Sequence, residues 1–245
     1  KNKRIALILT VVFAALILLN FLIISLVYGW ADWIAILLFS LLLIVPAYLS
    51  NAGMVIMGGG KPIDGGKKLR DGRRIFGSHK TWSGLIKGPL FIGIPISLGM
   101  YLIFIILWPI IASIPQTGIT QGQYHLYTSV YVYQYYFIGG NYPLGFLSLV
   151  IRVFLCSYGA AVGDLIGSFV KRRFNISSGS PFWIVDQLDF AIFALIFISI
   201  PGLILPSLFL IPDLNIIIFL LILTPSVSVI ANTVAYLASL KNVPW

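Results

Sequence analysis

The sequence contains no glutamate, two histidines and one cysteine, and only 9% of its 245 residues are charged. Each shortage excludes something. A soluble domain carries roughly 25% charged residues, so a water-soluble globular fold is ruled out. Cys156 has no partner for a disulfide within the chain. With seven aspartates as the whole acidic complement, a His-rich zinc centre or a glutamate acid/base pair has almost no material to be built from. Any chemistry must rest on Asp, Lys, Arg and backbone. Hydrophobic residues make up 59% of the chain, and 16 Lys/Arg give it a net charge of +9. Such a balance raises nucleic acid as a partner. In so apolar a chain it reports instead the positive-inside rule and contact with anionic phosphates or headgroups, and no nucleic acid is expected.

Uncharged runs set the organisation, since about 20 apolar residues span a bilayer as a helix. Residues 5–28 follow Lys1, Lys3 and Arg4 and form the first such run. It exceeds the ~7–15 residues of a signal-peptide core, so an uncleaved helix is expected. Asp32 falls in a short turn before a second helix to about Ser50, making an N-terminal hairpin over 5–52. Helices are further expected over 89–112, 143–162, 190–211 and 214–240. The whole of 1–245 then reads as one all-α integral membrane domain of about six transmembrane helices. Long uninterrupted runs argue against a barrel, whose strands would alternate. The stretch 113–142 is too polar for a confident span and is read as a non-cytoplasmic excursion with its tyrosines at the interface, a re-entrant segment being the alternative.

Two polar stretches, 58–88 and 164–189, join the N-terminus and Lys241 in holding fifteen of the sixteen Lys/Arg. A six-helix arrangement puts all four on one side, expected to be cytoplasmic together with both termini. Asp32 and Asp213 lie on the other. Arg152, inside the fourth helix, is costly in hydrocarbon and should face the bundle interior or water; a partner near a functional site and a structural one are equally open.

The two basic stretches also carry aspartates, which positive-inside bias does not require. In the second, Gly163, Asp164, Ser168, Lys171, Arg172 and Arg173 are followed by Asp186 and Asp189. Offsets of four and seven from Asp164 share a helix face if the helix continues past it, and Asp186 and Asp189, three apart, share another. Three aspartates beside Lys and Arg suit hard divalent cations held against phosphate oxygens; the bland alternative is that Asp186 and Asp189 only favour a helix N-terminus. In the first stretch Lys61, Asp64, Lys67, Lys68, Arg70, Asp71, Arg73, Arg74 and Lys80 alternate with glycines. Glycines let backbone approach a polyphosphate closely and Arg offers a planar fork for its oxygens. The Walker A spacing is absent, and a polybasic loop lying on anionic lipid would account for the cations alone. His79 reads as a solvated loop residue. Asn51, at the end of the second helix, either caps backbone or reaches a ligand.

At GDxxxSxxKR (Gly163 to Arg172) followed by Asp186, Gln187, Leu188 and Asp189, the chain resembles the CTP-dependent lipid cytidylyltransferases, the phosphatidate cytidylyltransferase superfamily. Many members have DRxD in the last motif where this chain has Asp-Gln-Leu-Asp. That departure, with KPIDGG from Lys61, DGRRIFG from Asp71 and KTWSG from Lys80, is similar to the archaeal branch, the CDP-archaeol synthase family. The resemblance implies transfer of CMP from CTP to 2,3-bis-O-geranylgeranylglycerol 1-phosphate with Mg²⁺, in membrane phospholipid synthesis, with membrane lipids as surroundings; the oligomeric state is left open by the sequence, a homodimer being one option. It implies further that Asp164, Asp186 and Asp189 hold the metal, and that Lys171, Ser168 and Arg172 contact phosphates. Lys61, Asp64, Arg73, Arg74, Lys80 and Thr81, with Asn51 nearby, would bind CTP. The two polar stretches would together form the active site.

The chemistry agrees with this. A phosphomonoester has a second pKa of about 6 and is already anionic, so it needs no general base to attack a phosphorus atom. A diacyl phosphatidate acceptor is the nearest alternative. A CDP-alcohol phosphotransferase would need a DGxxAR motif that is absent. A transporter or lipid-binding protein would place charged or broken-helix sites at the midplane and show internal repeats.

Overall fold

The computed structural model describes residues 2–177 and 180–243; Lys1, one of the basic N-terminal residues, lies outside them. Among the described residues the protein is helical without strands: α1 Asn2–Val27, α2 Trp30–Ile56, α3 Trp82–Gly88, α4 Ile94–Ile111, α5 Ser113–Thr120, α6 Val130–Ile138, α7 Leu144–Arg173, α8 Trp183–Ile204 and α9 Leu214–Leu237. A π-helical turn, Pro89–Gly93, welds α3 to α4, so that Trp82–Ile111 forms one length. Among the described residues six helices are long and apolar enough to cross a membrane: Lys3–Val27, Trp30–Ile56, Trp82–Ile111, Leu144–Arg173, Trp183–Ile204 and Leu214–Leu237. The protein is a multi-pass membrane protein.

Helix α2 is the hub, touching α1, α3, α4, α6, α7, α8 and α9, and Ile36, Phe39, Ile44 and Ala47 along it are wholly buried. Helix α1 packs on α2 and α9 and leaves Val11, Leu18, Leu22 and Leu26 exposed, an apolar surface for lipid acyl chains. Cys156 is a free, buried thiol whose Sγ donates to the Leu43 carbonyl, and it serves the α7–α2 packing.

Among the boundaries that differ from the sequence reading, two matter for the site and the fold. Helix α7 does not stop near Val162 but runs 30 residues to Arg173, about 45 Å at 1.5 Å per residue. That exceeds the ~30 Å hydrocarbon core, and Asp164 to Arg173 are carried on its last turns as rigid helix. The polar stretch expected over 164–189 therefore reduces to a connection over 174–182. Asp32 sits in the first turn of α2 rather than in a preceding turn.

The 113–142 excursion is folded back onto the bundle. Buried Asp32 accepts the backbone N–H groups of His125 (2.8 Å), Leu126 (3.1 Å) and Tyr127 (3.1 Å). Asp213 caps α9 through Asn215 and Ile216 N–H and accepts the Tyr127 hydroxyl at 2.7 Å. Tyr127, Tyr133, Tyr135 and Tyr136 are buried, and Tyr127, Tyr133 and Tyr136 ring Phe39 of α2. These tyrosines are core, not the interfacial belt that their polarity suggests. A phenol is apolar over most of its area, and two aspartates of α2 and α9 anchor the backbone and one hydroxyl of the segment.

Arg152 completes this cap. It donates to the carbonyls of Tyr135 (3.0 Å) and Tyr136 (3.2 Å) in the last turn of α6 and lies 4.7 Å from the Tyr135 ring centroid. A cation at the carbonyl-rich end of a helix meets its negative pole. Twelve residues of α7, about 18 Å of rise, separate Arg152 from Asp164, so its role is structural. Arg152→Met is expected to lower the melting temperature, a buried polar group left unpaired costing about 1–3 kcal/mol, while turnover per folded molecule is unchanged. Thermal unfolding in detergent beside a transfer assay checks both.

Candidate active site

The connection between α2 and α3 folds as a small Gly-rich hairpin on the end of the bundle. Lys67–Ile75 and Leu69–Arg73 backbone bonds close it, and Asp71 turns it by accepting Arg73 N–H, with Gly72 at φ +74° between them. An Asp-Gly pair suits this turn because the carboxylate bonds its own backbone two residues on and glycine takes the left-handed conformation without strain. Asp64 is the anchor: it accepts the N–H groups of Gly66 (2.9 Å) and Phe76 (3.2 Å) and a two-point contact from Arg74. The Arg74 guanidinium and these amides hold the Asp64 carboxyl down at about 2, and Arg74 is raised in turn by its partner.

Asp64 therefore stabilises the loop fully above the ordinary carboxylate value of about 3.9. That contribution is lost as pH falls through about 2, because the folded value is the lower one. Asp64→Asn is expected to make the loop more protease-sensitive at neutral pH, and the difference between the two proteins is expected to shrink between about pH 4 and pH 2. Limited proteolysis across that range checks it.

The hairpin is clamped onto the end of α7. Arg73 donates to the Arg173 carbonyl at 2.7 Å and the Arg172 carbonyl at 3.4 Å, satisfying the helix C-terminus. Arg173 returns the contact, pairing with Asp71 at 2.6 Å and donating to the Arg74 carbonyl. Thr81 caps α3 by accepting Gly84 N–H and also accepts Gly59 N–H. It lies beside the site as a buried structural cap.

Two cavities meet where hairpin, α7 and α8 converge. The smaller, about 210 Å³, is lined by Lys80, Asp164, Ser168, Lys171, Arg172, Asp186 and Asp189, with Gly77 and His79 at its rim. The larger, about 440 Å³, extends from Lys80, His79 and Asp164 to Asn51, Met54 and Val55 in the last turns of α2 and to Leu85 of α3. Asp164, Ser168, Lys171 and Arg172 do share a face, because α7 continues through them. Asp186 and Asp189 reach the same cavity from the first two turns of α8.

Glycine spacing creates this proximity. A Cβ on Gly159 would come within 2.8 Å of the Phe193 carbonyl, on Gly163 within 2.5 Å of the Asp189 carbonyl, and on Gly167 within 1.8 Å of the Asp189 carboxylate. Gly159, Gly163 and Gly167 thus form a stripe at i, i+4, i+8 against which α8 lies almost backbone to backbone, a packing that small residues permit between membrane helices.

Lys80 places its ammonium 2.7 and 2.6 Å from the two Asp164 oxygens, and Lys171 lies 2.8 Å from Asp186. Asp186 also accepts Phe182 N–H. Asp189 forms no ion pair among the described residues and accepts its neighbour's amide. Among the described residues no three Asp, His or Cys side chains are gathered tightly enough to enclose a metal as they stand. The Arg172 guanidinium has, among the described residues, no hydrogen-bond or ion-pair partner, its Nε being buried and unpaired, and it also borders a third recess of about 300 Å³ with Arg73, Arg74, Ser78, Asn175 and Ser177.

Of the residues singled out in the sequence, Asn51, Lys80, Thr81, Asp164, Ser168, Lys171, Arg172, Asp186 and Asp189 line the two joined cavities. Lys61 and Asp64 instead line a groove on the far side of the hairpin, and the guanidinium groups of Arg73 and Arg74 are spent on holding the hairpin in place. His79 lines both cavities, a position its lone occurrence in a polar stretch gave no means to foresee. Gly58, Gly59 and Gly60, which line the larger cavity, were equally unmarked.

The sequence profile of the CDP-archaeol synthase (CarS-like) family matches residues 33–119 and 117–245. The CDP-archaeol synthase of Pyrococcus abyssi is 41% identical over 203 residues, 82% of this chain and 94% of that one. The Thermococcus gammatolerans enzyme is 38% identical over 216 residues, covering 88% and 95%. The Methanococcus maripaludis enzyme is 36% identical over 214 residues, covering 87% and 99%. A solved intramembrane enzyme of archaeal membrane lipid biosynthesis matches 82% of this chain and 92% of its own at 24% identity, with a TM-score of 0.46.

Proposed function

The chain belongs to the CDP-archaeol synthase family, and from that membership we propose how its residues move CMP from CTP onto an archaeal ether-lipid phosphate. The activity is CDP-archaeol synthesis, a CTP-dependent cytidylyl transfer. An oxygen of the 2,3-bis-O-geranylgeranylglycerol 1-phosphate forms a bond to the α-phosphorus of CTP, the bond from that phosphorus to the bridging α–β oxygen breaks, and pyrophosphate leaves. The nucleophile is an anion already, so nothing in the site has to remove its proton. The difficulty is electrostatic: two anions must meet and a third must depart.

The observation that carries this reading is the smaller cavity, where three aspartates face two lysines and an arginine whose Nε is unpaired, all in one space. Its hard carboxylate oxygens beside phosphate-seeking cations fit Mg²⁺, which Asp164, Asp186 and Asp189 would hold. Bound there, the metal would neutralise the polyphosphate and the leaving pyrophosphate. Arg172, with its fork free, and Ser168 hold phosphate oxygens. Lys80 and Lys171 stand at the centre of the charge that shifts as the bond is exchanged. The larger cavity, bounded by Met54, Val55 and Leu85, admits the lipid phosphate from the bilayer, with the basic end of the protein facing the cytoplasm as charge asymmetry requires.

Purified protein given labelled CTP and Mg²⁺, with the ether phosphate and phosphatidic acid in parallel, is expected to move label into the chloroform-soluble ether product. EDTA should stop transfer and added Mg²⁺ restore it. Label in neither lipid from protein that binds CTP, or transfer indifferent to EDTA, would overturn the reading.

A further inference from the structure

Lys80 and Lys171 occupy the carboxylates that the proposed chemistry assigns to a metal. Lys80 is bidentate on Asp164, both side chains about a quarter exposed, and Lys171 pairs with Asp186 while only 14% exposed itself. Both pairs line the same cavity as Asp189, which forms no ion pair among the described residues. An ammonium and a divalent cation compete for the same oxygen lone pairs, and a lysine held over a carboxylate also repels an approaching cation. The same ammonium is what a polyphosphate would bind.

We propose that Lys80 and Lys171 are exchanging counterions: they neutralise Asp164 and Asp186 until a nucleotide triphosphate arrives, then turn to its oxygens and release the carboxylates to the divalent cation. This rests on the cytidylyltransferase reading of the site. Uptake of metal and nucleotide is then positively coupled, because each removes the other's competitor. By linkage the coupling is reciprocal, CTP tightening the metal as much as the metal tightens CTP. Arg172 provides the first grip, being the cation at the cavity that need not leave a carboxylate to meet phosphate. The arrangement also keeps the bare site from holding a divalent cation without substrate.

Lysine as a bystander and lysine as an exchanging counterion predict different signs. Free Mn²⁺ can be followed by electron paramagnetic resonance over purified protein in detergent, without nucleotide and with CTP, and CTP binding can be measured separately in EDTA. The unaltered protein is expected to bind Mn²⁺ weakly alone and at least ten-fold more tightly with CTP, within the usual range of coupling. Lys80→Met and Lys171→Met should each tighten Mn²⁺ binding alone by roughly 3- to 10-fold, as loss of a partly buried competing charge implies, and should weaken CTP binding in EDTA. Lys80→Arg, which keeps a cation on Asp164, should leave Mn²⁺ weakly bound. Lys87→Met, with the same change of net charge at an exposed lysine outside both cavities, sets the background. Mn²⁺ affinity in the two methionine variants no higher than in Lys87→Met, or CTP binding in EDTA unweakened by them, overturns the exchange while leaving the enzyme reading in place. No CTP binding by the unaltered protein overturns both.

Discussion

Asp186→Asn is expected to reduce cytidylyl transfer at least 10²–10³-fold, the usual cost of removing one preorganised group that stabilises transition-state charge, while the protein still folds. The substitution keeps the shape of the side chain, and the amide oxygen can still accept the Phe182 N–H that starts α8. What it removes is a negative charge, and that charge has two tasks. It is one of three carboxylates in the cavity, and a neutral amide is a far poorer ligand for a hard divalent cation. It also positions Lys171, which loses its 2.8 Å partner and is free to rest on whatever anion is near. A freed lysine can grip the triphosphate, so KM for CTP should rise little or even fall while kcat collapses. That split separates a ligand to the reacting centre from a residue that only binds substrate, whose loss would raise KM with kcat preserved. Steady-state kinetics at saturating Mg²⁺, beside a thermal melt, decide it. Turnover within a few-fold of the unaltered protein would remove Asp186 from the chemistry.

The motif residues were legible because helical spacing is a local rule. Asp164, Ser168 and Lys171 at offsets of zero, four and seven must share a face once the chain is helical, and the same holds for Asp186 and Asp189. Their meeting in one cavity required only that α7 and α8 be neighbours. The length of α7 was less legible, since Asp164 and the Lys171–Arg173 run look like the start of a loop when hydropathy alone is followed. Helices, however, do not end where hydrophobicity ends, and no Pro or C-terminal glycine interrupts the chain before Arg173.

In the first polar stretch, the resemblance groups Lys61, Arg73, Arg74 and Lys80 together as nucleotide-binding cations, while the fold distributes them. Arg74 is committed to Asp64 and Arg73 to the carbonyls ending α7. Such pairings join residues ten and about a hundred positions apart, which no local pattern encodes. The Tyr-rich segment failed for a related reason: the aspartates that hold it, Asp32 and Asp213, looked like isolated loop residues because their partners are backbone amides and a phenol rather than cations.

The glycine stripe of α7 was present in the sequence and carries the largest expected structural effect. On helix propensity alone, Gly→Ala in a helix interior should stabilise by up to about 1 kcal/mol. Contact with α8 opposes this differently at each position. At Gly163 a Cβ would meet the Asp189 carbonyl at 2.5 Å and the Phe190 Cα at 2.8 Å. Both are backbone, so the helices must separate, and overpacking of this kind costs about 1–3 kcal/mol, which outweighs the propensity gain. At Gly167 the nearest obstacle is the Asp189 carboxylate at 1.8 Å, the end of a side chain that can rotate away, with the backbone-fixed Asp189 Cβ behind it at 2.9 Å. Gly167→Ala should therefore cost less stability than Gly163→Ala, yet it drives a carboxylate out of the cavity, and a displacement of about 1 Å there can cost 10²-fold in rate. Gly163→Ala should lose stability and activity together. Gly99→Ala, in α4 with nothing within 4 Å of the new methyl, should lose neither. Melting temperatures and transfer rates across the three variants separate these outcomes: a fully active Gly167→Ala would mean that Asp189 does not need its place against α7, and that the close approach of α8 serves packing alone.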